Sequence, residues 1–109
     1  MGMAIDAETR LPILGNVRGG VSGPAIKPIA LLKVQQVYEV AGPQNIPIIG
    51  QGGIVNAIDA IEFMIAGATT VGIGTALFYD PLVCVKINDG IADYLVDRKS
   101  TRLNSSHRL

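Results

Sequence analysis

Three short apolar runs punctuate the chain: Pro12-Ile13-Leu14-Gly15, Ile46-Pro47-Ile48-Ile49-Gly50 and Thr70-Val71-Gly72-Ile73-Gly74. Each is followed by glycine or polar residues. Short runs that are apolar at consecutive rather than alternate positions predict strands buried on both faces, as in parallel sheets. Between them, apolar positions recur at helical spacing. Ile26, Ile29, Ala30, Val34, Val37, Tyr38 and Ala41 make one face of a helix predicted over 25–41. Pro24 or Pro28 falls in its first turn, where a missing N–H costs little, and Gly42-Pro43 stops it. Ala57, Ile58, Ile61, Met64 and Ile65 predict a second helix over 57–66. Asn56 is its N-cap, Gly67 its C′ residue, and Asp59 at the third position supports the cap. A third helix is predicted to start with Asp80 as N-cap and Pro81 at its first position. It is expected to break at Asp89-Gly90 and to resume to Val96.

The order is βα three times, which implies right-handed βαβ units around a parallel sheet. Three strands cannot close a barrel, and a complete (β/α)₈ barrel takes about 250 residues. The chain has 109. It is therefore a small open α/β domain or a piece of a larger α/β fold.

Composition narrows the chemistry. Nine Lys+Arg balance nine Asp+Glu, so the net charge is zero. A nucleic-acid or phospholipid binder would need a basic surplus. One cysteine, Cys84, excludes an internal disulfide and any multi-cysteine metal or iron–sulfur site. Set between Val83 and Val85, it reads as a small buried hydrophobe. No run of 18 or more apolar residues exists, so no membrane span is expected. Met1–Glu8 has no basic region followed by an apolar core, and Asp6 stands where a myristoylation site takes Ser or Thr. These features predict a cytoplasmic protein.

Residues 98–109 differ from the rest. They carry four of the nine basic residues, no acid and two apolar side chains. The stretch resembles a translated sequencing adapter and is read as a non-native or disordered tail, separate from a body of 1–97. The alternative is a basic tail that touches a nucleic acid or a partner. His107, the one histidine, lies in it.

Three glycine clusters lie between apolar runs and helix starts: Gly19-Gly20-Val21-Ser22-Gly23-Pro24, Gly50-Gln51-Gly52-Gly53-Ile54 and Gly72-Ile73-Gly74-Thr75-Ala76. In a parallel α/β fold such loops share the carboxyl end of the sheet, where sites are built. Glycine lets backbone N–H groups approach a ligand, so the clusters can bind an anion such as phosphate without a basic side chain. The alternative is that they serve tight turns only. None fits Gly-x-Gly-x-x-Gly or the P-loop, which argues against a dinucleotide Rossmann site or an NTPase. Lys27 could reach an anion or be solvated. Asp59 and Glu62, three apart on one helix, have no partner base nearby in sequence. No Ser/His/Asp set and no metal set exists in the body, so no catalytic residue is assigned.

Four segments in order carry a resemblance: Gly2-Met3-Ala4-Ile5-Asp6, Gly19-Gly20-Val21-Ser22-Gly23-Pro24-Ala25-Ile26-Lys27-Pro28-Ile29-Ala30, Ile46-Pro47-Ile48-Ile49-Gly50-Gln51-Gly52-Gly53-Ile54, and Ala66-Gly67-Ala68-Thr69 with Gly74-Thr75-Ala76. Together they resemble the carboxyl-terminal part of the dihydroorotate dehydrogenase family. Ser-Gly-Pro-Ala-Ile-Lys-Pro is most similar to its NAD-linked class 1B catalytic subunit. The resemblance implies the last three βα units of an FMN-binding TIM (β/α)₈ barrel. It places Gly23 near the flavin, and Gly52, Gly53, Gly74 and Thr75 around the FMN phosphate. It further implies oxidation of dihydroorotate to orotate in pyrimidine synthesis and an oligomeric full-length parent. The implied partner is an electron-transfer subunit carrying FAD and an iron–sulfur cluster. The family's substrate-contacting Asn-Thr pair would precede Gly2. Its cysteine base and flavin-facing lysine would lie further upstream; Cys84 does not match that cysteine. The chain alone is thus expected to be inactive. Other readings are the FMN domain of dihydropyrimidine dehydrogenase, a non-redox phosphate-binding barrel enzyme, and a scaffold fragment without activity.

Overall fold

The computed structural model describes residues 1–98. It begins with an antiparallel arm: β1 (Ile5–Asp6) pairs with β2 (Leu11–Pro12), and Gly2 bridges to Gly19. The Asp6 side chain accepts the Glu8 N–H at 2.9 Å, and its carbonyl accepts the Arg10 N–H at 2.7 Å. This local turn folds residues 11–12 back on 5–6. The run Pro12–Gly15 is therefore not the first strand of a parallel sheet. Pro12 has no N–H to give a central ladder, and Leu11, Ile13 and Leu14 remain exposed.

A tight turn at Pro24–Ile26 leads into α1 (Lys27–Ala41). The helix gives way at Gly42 to a further turn over Gly42–Gln44, which ends on Asn45 in the left-handed region. The inner face differs from the expected one. Val34 and Ala41 are buried, with Ala30, Leu31 and Tyr38 packed beside them, whereas Ile29 and Val37 face outward. The helix is apolar on more than one side, so spacing alone did not select the stripe that meets α2.

β3 (Ile49–Gln51), α2 (Ala57–Ala66), β4 (Thr70–Gly72) and α3 (Val83–Asp97) follow. β3 and β4 are parallel, with Gly50 opposite Val71. They are thus one βαβ unit, with α2 as the crossover. Asn56 caps α2, its Oδ1 accepting the Asp59 N–H at 2.9 Å, and Gly67 closes it at φ 132°. The turn into β4 is fixed by the Thr69 hydroxyl, whose oxygen accepts the Ile48 N–H at 3.0 Å. A turn over Thr75–Phe78 separates β4 from α3. The Asp80 carboxylate accepts the Leu82 N–H at 3.0 Å, so α3 starts at Val83, two residues later than expected. It runs through Gly90 without a break. Cys84 is exposed, not buried, because Val83 and Ile87 take the inner positions. The core joins Val34, Ile48, Ile54, Phe63, Val83 and Ile87 to small alanines at 41, 60, 66, 68 and 76. No helix among the described residues is long and apolar enough to cross a membrane. Apart from Arg98, the tail set apart in the sequence lies outside the described residues.

Candidate phosphate-binding site

β3 and β4 run in the same direction, so the loops that leave them open at one end of the pair. α1 packs against β3, and the turn that starts it meets the loop after β3. The three glycine segments meet there around a cavity of about 360 Å³. Gly23, Gly52, Gly53, Gly74 and Thr75 all line it, as do Ser22, Gln51, Ile73 and Ala76, which the site prediction left out. No charged side chain is among its lining residues.

Gly53 has a specific reason to be glycine. Its φ is 75°, and a Cβ there would stand 2.8 Å from the Gly23 carbonyl oxygen and 3.0 Å from the Lys27 nitrogen. Both the backbone conformation and the space exclude a side chain. The first and second loops can therefore touch backbone to backbone. No side chain caps the turns at Pro24–Ile26 and Thr75–Phe78, whereas Asn56 caps α2.

A second cluster lies behind the cavity wall. Lys27 Nζ is 2.7 Å from Asp59 Oδ1 and 2.7 Å from Glu62 Oε1. Asp59 Oδ2 accepts the Val55 N–H at 3.0 Å. The two acids instead share a cation from far along the chain: α1 delivers Lys27 to both. Lys27 is half-buried and paired with the two acids, and it is not among the cavity-lining residues. Burial pushes the Asp59 carboxyl up, but hydrogen bonds from Lys27 and the Val55 N–H outweigh it and hold it below the usual range. The same two carboxylates raise the Lys27 ammonium above its ordinary value. No spacing rule connects residues 32 positions apart. The one hint was an acid at position 59, inside an apolar helix. Among the described residues no group of three or more His, Cys, Asp and Glu could hold a metal ion.

A βαβ unit with an uncharged, glycine-lined cavity at the carboxyl end of its strands defines an α/β protein with its candidate site where such folds build them. The dihydroorotate dehydrogenase family model matches residues 1–95, and the chain belongs to that family. It is 58% identical over 95 residues to the catalytic subunit of dihydroorotate dehydrogenase B (NAD(+)) from Bacteroides fragilis, covering 87% of this chain and 30% of that protein. The protein of the same name from Citrifermentans bemidjiense is 53% identical over 104 residues, 95% of this chain and 33% of its own length. Among solved structures, dihydroorotate dehydrogenase from Eimeria tenella in complex with ferulenol superposes with a TM-score of 0.69 at 30% identity, covering 74% of this chain and 21% of that one. Its ligand-free form gives 0.69 at 27% identity, covering 89% and 27%. The chain thus spans about a third of the length of the curated relatives it matches.

Proposed function

We propose that residues 1–97 are the phosphate-holding end of an FMN-dependent dihydroorotate dehydrogenase of the NAD-linked class 1B type, part of a (β/α)₈ barrel. The observation that carries this is the convergence of three glycine loops, far apart in sequence, on one uncharged cavity. The residues fit the cofactor. A phosphate monoester needs several N–H donors at close range, and side chains at Gly52 and Gly53 would push this loop away from Ala30 of α1 and from the Gly23 carbonyl oxygen of the first loop. In this reading Gly52, Gly53, Gly74 and Thr75 hold the phosphate, and Gly23 lets the first loop approach the flavin. The chemistry supplied there by a bound FMN would be that of a hydride acceptor. The chain's own residues bind and orient, and none of those lining the cavity is a base.

Barrel membership draws on the sheet. Ile49, the first residue of β3 and part of its parallel ladder with β4, is 64% exposed, as an apolar strand position is when further parts of a fold cover it. The full-length protein would oxidise dihydroorotate to orotate for pyrimidine synthesis in the cytoplasm, as an oligomer. A second subunit bearing FAD and an iron–sulfur cluster would pass electrons to NAD⁺. The family match over residues 1–95 lies within the body of 1–97.

The test is flavin bleaching. The full-length protein carrying this segment should purify yellow and bleach anaerobically with dihydroorotate but not with uracil. Bleaching by uracil instead, or a colourless protein, overturns the assignment. The 109-residue chain alone should show no dihydroorotate turnover with a dye acceptor.

A further inference from the structure

On the phosphate-site reading above, on which this rests, we propose that Lys27 is a positioning residue that holds the loop after β3 in the shape needed to bind a phosphate ester. Lys27 itself lies outside the cavity lining. Its backbone nevertheless supports the loop: a Cβ on Gly53 would stand 3.0 Å from the Lys27 nitrogen and 3.0 Å from its Cβ. Its side chain reaches the other end of the same loop through one intermediary. Nζ binds Asp59 Oδ1 at 2.7 Å, and Asp59 Oδ2 accepts the N–H of Val55, a cavity-lining residue, at 3.0 Å. Lys27 thus meets segment 53–55 at both ends, by close packing at Gly53 and through Asp59 at Val55. Glu62, at 2.7 Å, gives the ammonium a second acceptor and holds it in place.

The pair has an electrostatic role as well. Asp59 is buried in the first turn of α2, one turn from the cavity wall. An unneutralised carboxylate there would repel a phosphate dianion through a low-dielectric medium. Lys27 offsets the charge of Asp59, the more buried of its two acid partners, without occupying the site. Loss of the ammonium therefore weakens the grip on phosphate in two ways, by freeing the loop and by exposing a negative charge. Neither effect acts on a ligand that lacks the phosphate.

The experiment compares FMN with riboflavin, which is the same molecule without the phosphate, on the full-length apoprotein by flavin fluorescence quenching. Lys27→Met should weaken FMN binding about tenfold, the lower end of the loss when a group supporting a ligand-holding residue is removed. Riboflavin affinity should not change, and Lys27→Arg should restore FMN binding. If Lys27→Met does not fold, Lys27→Gln makes the same test: it keeps a polar side chain facing Asp59 but removes the ammonium that offsets the carboxylate, so FMN affinity should again fall selectively. Equal losses for both flavins, or no loss of FMN affinity, overturn the role of Lys27. Wild-type protein that shows no preference for FMN over riboflavin overturns the phosphate-site reading itself.

Discussion

The ring of Phe63 fills the space that the missing side chain of Gly50 leaves. A Cβ on Gly50, the central residue of β3, would stand 2.7 Å from Phe63 Cδ1 and 3.0 Å from the Ala68 Cβ. Phe63 is fully buried. The close approach of α2 to β3 is thus set by a glycine on one side and an aromatic ring on the other. Phe63→Ala should cost about 3–5 kcal/mol, the lost transfer energy plus an unfilled cavity. Gly50→Ala should cost about 1–3 kcal/mol from overpacking. Both are read as shifts of the urea midpoint of the full-length protein at unchanged slope.

Gly53→Ala and Thr75→Val separate the two demands on the cavity wall. At Gly53 an alanine must adopt φ 75° and crowd the Gly23 carbonyl oxygen. A left-handed alanine alone costs roughly 1–2 kcal/mol, so stability and FMN affinity should fall together. Thr75→Val keeps the shape and removes the hydroxyl. Stability should hold, while FMN affinity drops by the value of one hydrogen bond, about 0.5–1.5 kcal/mol. Thermal melts beside flavin titrations distinguish the two patterns.

Stability should form a plateau in pH bounded by the ion pair. The Asp59 carboxyl titrates lower in the folded protein than in the unfolded chain. Its contribution is therefore present above the unfolded value, about pH 3.9, and is lost as pH falls through the folded one. Lys27 titrates higher when folded. Its contribution is present below about pH 10.4 and is lost as pH rises through the folded value. Asp80 is also held low, by Lys86 and by the Leu82 N–H. It stands at the surface, where salt screens the pair. Asp59→Asn should thus flatten the acid limb with less dependence on ionic strength than Asp80→Asn, because Asp59 is the more buried of the two. Denaturation midpoints from pH 2 to 11 at two salt concentrations check both.

What the sequence made legible was local. Asn56 and Gly67 bound α2 because caps are chosen by the backbone within one turn, and Gly52-Gly53 stood out because loops that need positive φ or close approach leave glycine. Gly23, Gly52, Gly53, Gly74 and Thr75 do share one cavity. Contacts between distant residues left no comparable trace. Pro12–Gly15 is as apolar as a buried strand, yet the turn at Asp6 pairs its first residue with β1. The inward stripe of α1 was set by α2 and β3 rather than by its own spacing. Lys27 and Asp59 carry no mark of each other in sequence, and Cys84 lies outward by a rotation of α3 that the neighbouring valines do not reveal.

Gly90 gives the sharpest separation between local preference and packing. It suggested a helix break, but α3 passes straight through it. The reason for glycine lies across the interface, since a Cβ at Gly90 would collide with the Cβ of Ala57 in the first turn of α2. On helix propensity alone, Gly90→Ala should stabilise by about 1 kcal/mol. Overpacking of a close helix–helix contact costs about 1–3 kcal/mol, and Ala57, held between the Asn56 cap and the rest of α2, has little room to move. The collision should therefore win, and Gly90→Ala should lower the melting temperature. Adding Ala57→Gly should recover part of the loss, although that change weakens α2 by itself. A melting temperature raised by Gly90→Ala alone would show that α2 and α3 do not cross at these two residues.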